Sequence, residues 1–370
     1  MKRAIPAIVV AFACSHATAA ELPKPVIDGV EHFVAAFMNT NHVPGLSIAV
    51  VADGQLSWSG AYGLADVENG VRATPDTLYR SASIGKTMTA TAAMELVDEG
   101  KFDLNRDIRD YCPAFPQKQW RITPWNLLTH TSGIRHYGGP QDREEQFSTT
   151  HYDSVAASLA PFKDDPLQFE PGTKWQYSTY GYDVLGCVIE GASKEPFLAY
   201  MREHVWTPAG MTSTRDDDPS AIVPHRAAKY TMSGGKLQNA PAIDMSNRMP
   251  AGGYLTTAVD LANLAAALMN GRLVKPATLA AMLAPARLKT GETANYGLGW
   301  GVENEEWHGD RWVFHGGSSP GASGFVAMMP KHRFAVVFLT NLDELSGRAE
   351  LAEDVARLVL GFGPRVQTAH

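Results

Sequence analysis

Ser83-Ile84-Gly85-Lys86-Thr87-Met88-Thr89-Ala90-Thr91-Ala92-Ala93-Met94-Glu95-Leu96-Val97 puts a serine three residues before a lysine, at the head of an apolar-periodic run. Ile84, Met88, Ala92 and Leu96 recur at steps of four, the spacing of a buried helix, and Gly100 supplies its stop. Residues three apart share a helix face, so the Lys86 amine comes within reach of the Ser83 hydroxyl. A serine becomes a nucleophile only when something takes its proton, and a lysine becomes a base only when its pKa falls. Burial and the positive end of the helix dipole both lower it. The pair therefore fits self-activating acyl transfer with no histidine as base. S-x-x-K alone recurs by chance in chains of this length; the buried helix gives it weight, because an uncompensated buried ammonium is costly.

The rest of the chain sets the frame. Lys2 and Arg3, the apolar run Ala4 to Ala13 and the small residues Ala17-Thr18-Ala19-Ala20 read as a secretory signal peptide over about residues 1–20. That run is too short to span a bilayer, and no later segment is long and apolar enough. Cys14 lies in a poor lipid-attachment context, which disfavours a lipoprotein. A periplasmic or secreted protein is expected. The formal charge is −7, with no basic run, which argues against a nucleic-acid partner. Of three cysteines, Cys112 and Cys187 survive signal removal. Export permits a disulfide, but Cys187 sits in the apolar run Val184-Leu185-Gly186-Cys187-Val188-Ile189, where a buried thiol is the favoured state and a Cys112–Cys187 bridge the alternative. No Cys/His cluster has zinc spacing, so neither metal nor other cofactor is expected.

Leu46-Ser47-Ile48-Ala49-Val50-Val51 and Gln55 to Tyr62 flank Ala52-Asp53-Gly54, a β-hairpin signature. Three further strands are expected at Trp312–His315, Gly324–Met329 and Phe334–Thr340, followed by a helix over about Ser346 to Leu360. Strands at both ends with helices between predict an α+β fold. One antiparallel sheet, from about 40–80 and 296–342, would carry flanking helices and a mainly helical insert over about 83–290, all within one domain, 21–370. The polar stretch Gly138 to Tyr152 reads as a long surface loop able to overhang a cleft, and it and the Pro208–Pro250 region are where substrate choice is expected to lie.

Two more landmarks carry chemistry. Tyr177-Ser178-Thr179 precedes a helix expected over Tyr180 to Glu190 and capped by Gly191. A helix N-terminus and a nearby lysine both favour phenolate, so Tyr177 is a candidate proton shuttle. His315-Gly316-Gly317-Ser318 ends a strand; its glycines let a substrate lie against the strand edge, and a backbone N–H there can face an oxyanion. Two other matches are decoys. Gly317-Ser318-Ser319-Pro320-Gly321 spells G-x-S-x-G, but Pro320 lacks the N–H that such an elbow donates. Lys289-Thr290-Gly291 spells K-T-G in a linker with no strand before it.

In this order the landmarks resemble the serine beta-lactamase and penicillin-binding-protein superfamily, in its class C-like branch. The likeness runs from about His42 to Leu342 and includes His42-Val43-Pro44-Gly45, Leu127-Leu128-Thr129-His130-Thr131-Ser132-Gly133-Ile134 and Ala251-Gly252-Gly253-Tyr254-Leu255-Thr256-Thr257. Ala65 to Asn69, Ser132 to Tyr137 and Tyr177 to Tyr182 are similar to the mitochondrial serine beta-lactamase-like branch of animals, although this chain carries a secretory signal. The resemblance implies the fold expected above, Ser83 as the acylated nucleophile, Lys86 as its base and Tyr177 as second proton-transfer group. It implies His315, Gly316 and Gly317 as the sheet-edge triad, with the backbone N–H groups of Ser83 and Ser318 as oxyanion hole. Two departures bear on substrate: Thr179 replaces the usual asparagine, and His315 stands where strict beta-lactamases carry lysine. The loss of a fixed cation makes peptidase or esterase chemistry on a small-molecule or peptide substrate better supported than efficient penicillin hydrolysis. The alternative is a slowly acylating penicillin-recognising sensor.

Overall fold

The computed structural model describes residues 21–138 and 142–363. The expected signal segment, about residues 1–20, lies outside them. Seven antiparallel strands form the main sheet: β1 (Gly45–Ala52), β2 (Gln55–Asp66), β3 (Val71–Arg72), β4 (Gly301–Trp307), β5 (Asp310–Ser319), β6 (Ala322–Met329) and β7 (Phe334–Thr340), in the spatial order β3-β2-β1-β7-β6-β5-β4. The two ends of the chain meet at the sheet's centre, where Leu46 pairs with Thr340 and Val51 with Ala335. The β1–β2 hairpin turns on Asp53 and Gly54, both at positive φ (52° and 75°), the geometry whose twist matches the flanking strands.

These central strands read as unbroken apolar runs because both faces are covered. Leu46, Ile48 and Val50, with Phe334, Val336 and Phe338, pack under the terminal helices α1 (Lys24–Asn41) and α6 (Arg348–Leu360). The alternate residues Ala49, Val51, Ala335, Val337 and Leu339 face the inserted residues between β3 and β4. That insert is built on α2 (Gly85–Asp98), the short helix α3 (Asp142–Gln146), α4 (Thr179–Ser193) and α5 (Ala258–Met269). On α2, Ile84's successors Met88, Ala92 and Leu96 are fully buried, and Gly100 follows the helix at φ 73°. The α+β architecture, an antiparallel sheet flanked by helices, is thus the one the sequence implied.

Three local expectations are corrected. The cysteines are paired: Cys112 and Cys187 form a disulfide with a Cα–Cα distance of 5.4 Å, so the buried thiol expected for Cys187 is absent. Gly191 does not cap its helix; α4 runs on to Ser193 and closes on Lys194 at φ 67°. Both corrections have one cause. A Cβ on Gly191 would sit 1.7 Å from the Tyr111 carbonyl oxygen, so the glycine lets that chain press against α4. The approach brings Cys112 onto Cys187, one turn earlier on the helix. The third is β4, a strand not foreseen because Gly301-Val302-Glu303-Asn304-Glu305-Glu306-Trp307 is an exposed polar edge with little alternation.

Candidate active site

Ser83 lies on a 3-10 turn, Ala82–Ile84, that runs directly into α2. The residue before it, Ala82, is held at φ 45°, a left-handed conformation uncommon for a residue with a Cβ. Lys86, one turn on, is fully buried, and its Nζ lies 3.1 Å from Ser83 Oγ, 3.1 Å from the Ala251 carbonyl and 3.4 Å from Thr179 Oγ1. Burial pushes the lysine down to about 7; Asp183 opposes the shift and Arg248 adds to it. A neutral amine can donate its two N–H bonds to Ala251 and Thr179, which leaves the lone pair for the Ser83 proton.

The Tyr177 ring lies 4.9 Å from Lys86 Nζ. Burial raises its phenol well above the usual value, against a smaller opposing interaction with Ser83, so the expected phenolate gives way to a neutral O–H. Two histidines hold the tyrosine's turn. The Ser178 N–H donates to His130 Nδ1 at 3.1 Å and the Thr179 N–H to His136 Nδ1 at 3.2 Å, while the Ser178 side chain caps α4 on the Gly181 N–H. The His130 ring also packs against Tyr177, with centroids 4.3 Å apart and the planes tilted by 41°. Burial drives both imidazoles down, His136 to about 4, so both are neutral acceptors.

Across the cleft, β4 pairs with β5 only as far as Phe314, so the edge from His315 to Ser319 is open toward Ser83. Gly317 presses on the serine turn there: a Cβ would lie 2.6 Å from the Ser81 carbonyl oxygen. His315 is buried and pushed down to about 3, with burial as the main cause. Its Nδ1 sits 2.7 Å from the Gly316 carbonyl and its Nε2 2.9 Å from the Tyr296 hydroxyl. Nδ1–H therefore donates to Gly316, and Nε2 accepts from Tyr296. Both nitrogens of the neutral ring are engaged within the protein.

Ser83, Lys86, Tyr177, Thr179, His315, Gly316, Gly317 and Ser318 all line one cleft of about 480 Å³. Lys289 is 60% exposed and pairs with Glu170, away from the cleft, while Pro320 and Gly321 form the turn between β5 and β6, with Pro320 at the edge of the cleft. From the 138–152 stretch Gln146, at the end of α3, lines the cleft, and Met245 and Arg248 bring in the 208–250 region. Sequence reading missed His136, Arg248, Tyr296 and Arg348 as cleft residues, and Asp183 behind Lys86. Asp183 alone left a signal, as a lone acid in the apolar run Tyr182 to Ile189. Among the described residues no helix is long and apolar enough to cross a membrane.

The family model described as Beta-lactamase matches residues 30–360. The mouse (Mus musculus) serine beta-lactamase-like protein LACTB, mitochondrial, is 28% identical over 384 residues, covering 78% of this chain and 70% of that protein. A D-stereospecific amidohydrolase from Streptomyces sp. superposes with TM-score 0.73 at 23% identity, over 91% of this chain and 99% of its own. EstCE1, a hydrolase with promiscuous acyltransferase activity, superposes with TM-score 0.77 at 22% identity, over 90% and 98%.

Proposed function

The chain belongs to the beta-lactamase family, and on that premise we propose that it is an exported serine hydrolase that cleaves amide or ester bonds through an acyl-enzyme. The observation that carries this reading is the 3.1 Å contact between a fully buried Lys86 amine and the Ser83 hydroxyl at the floor of the cleft. As Ser83 Oγ attacks the substrate carbonyl, its proton passes to Lys86 Nζ. The carbonyl oxygen, now negative, lies between the backbone N–H groups of Ser83 and Ser318 on the open β5 edge. When the C–N or C–O bond breaks, the proton goes from Lys86 to the departing amine or alcohol by way of the neutral Tyr177 phenol. Water attacks the ester in the second half, returning its proton along the same path. His315, with both nitrogens engaged, positions the β5 edge through Tyr296 and moves no proton. The neighbours named a D-stereospecific amidohydrolase and a hydrolase with promiscuous acyltransferase activity support amide cleavage and acyl transfer on this fold, and the disulfide supports an oxidising compartment.

The test is intact-protein mass after exposure to a fluorophosphonate and to a fluorescent penicillin. An adduct on Ser83 that is lost in Ser83→Ala, and that turns over for the penicillin or for a D-amino-acid amide, is the expected result. A penicillin adduct that persists, with no amide or ester turned over, marks a sensor instead. Labelling that survives Ser83→Ala overturns the assignment.

A further inference from the structure

One cation in the cleft has no part in this chemistry. Arg248 ends the turn Ser246–Arg248, is only 6% exposed, and lines the cleft. Its Nε donates to the Asn247 side-chain oxygen at 2.8 Å, and its Nη2 donates to the Glu145 and Gln146 carbonyls at 2.9 and 2.8 Å. The guanidinium lies 4.8 Å over the Tyr137 ring. Every one of these acceptors is neutral, and Nη1 has no acceptor among the described residues. Asp183, the carboxylate that Arg248 acts on electrostatically, takes no hydrogen bond from it, and burial disfavours its ionised form.

The surroundings sharpen the point. The chain carries 39 acidic residues against 32 lysines and arginines, yet the described residues lining the cleft include Lys86, Arg248 and Arg348 and no aspartate or glutamate. Lys86 is the proposed base. Arg348 gives Nη1 to the Gly317 carbonyl and the Ser323 hydroxyl beneath the β5 edge. Arg248 is left as a largely dehydrated fork on the opposite, inserted side, held by the backbone of α3 and with no negative hydrogen-bond partner among the described residues. Such a group is costly to bury unless a ligand completes it, and its planar donors match a carboxylate.

We propose that Arg248 determines specificity by receiving an acidic group of the substrate, so that the enzyme prefers esters and amides that carry a carboxylate on the acyl part or on the leaving group. This rests on the hydrolase reading above. The experiment compares 4-nitrophenyl hexanoate with two acidic partners of equal chain length. One is the mono-4-nitrophenyl ester of adipate, with the carboxylate on the acyl part; the other is the hexanoyl ester of 3-hydroxy-4-nitrobenzoate, with it on the leaving group. The readout is the ratio of kcat/KM for acidic to neutral ester within one protein, so a loosened α3 that slows all esters alike leaves it unchanged. In the native enzyme at low ionic strength, at least one acidic ester should exceed the neutral one by about tenfold or more, the size of one charge-assisted hydrogen bond, and added salt should erode that ratio. Arg248→Gln should bring the ratio close to one, and Arg248→Lys should retain part of it. Ratios near one for both acidic esters in the native enzyme overturn the proposal even if no variant folds. So does a ratio that survives Arg248→Gln. Ser83-dependent turnover of the neutral ester tests the hydrolase reading separately; if no ester is turned over, both readings fall together.

Discussion

At the scale of single residues, the site is governed by dehydration. Burial lowers Lys86, the proposed base, to about 7, and the sequence carries the cause of that shift in a lysine set inside an apolar helix period. kcat/KM should therefore rise with pH as the ammonium is lost, with a midpoint near 7. Burial disfavours the ionised form of Asp183, so Asp183→Asn should leave that midpoint little changed; a midpoint moved clearly to lower pH would show that the buried acid is charged beside the base. Tyr177→Phe removes the proton path while leaving the ring in place, and should lower kcat by about 10²–10⁴-fold, read in steady-state kinetics. The tyrosine's position was legible from the sequence but its protonation was not. A helix end and a lysine both argued for phenolate, and only the packed site shows burial overriding them. Arg248 was illegible for a similar reason: an arginine in a loop reads as solvated until the fold wraps it.

At the scale of elements, the hairpin, the three C-terminal strands and α2 could be read because each carries its own periodicity and its own turn. The strand β4 and the end of α4 could not, since both depend on partners distant in sequence. Gly191 looks like a stop signal locally, yet it is a notch for the Tyr111 backbone. Gly191→Ala should accordingly destabilise the protein by about 1–3 kcal/mol, the range for overpacking, although alanine is the better helix former. Thermal melting of the variant against the parent checks this; an unchanged or higher melting temperature would mean the contact relaxes freely.

At the scale of the whole molecule, the buried imidazoles bind the fold to pH. His136 and His315 are held near 4 and 3, below the 6.5 of a free imidazole, so the unfolded chain takes up protons that the folded one refuses. Their neutral burial is fully tolerated above about 6.5, and stability should fall as the pH drops below that value toward 4; melting temperatures across that window measure it. The Cys112–Cys187 bond closes a sequence separation of 75 residues and ties α4, with its tyrosine turn, to the chain before it. Replacing both cysteines with alanine should cost about 2–4 kcal/mol in denaturant unfolding. The overall architecture was legible in the order of strands, helices and strands, because chain ends that both read as sheet must find each other. That meeting sets a timetable for biosynthesis. β1 occupies the middle of the sheet and its partner β7 is the last of the seven strands to be made, so a nascent chain keeps one edge of the apolar β1 strand unpaired until residue 340 has emerged. Closure of the sheet thus has to wait until the strands on both sides of the insert have been made, which is the price of joining at its centre the two strands most distant in sequence.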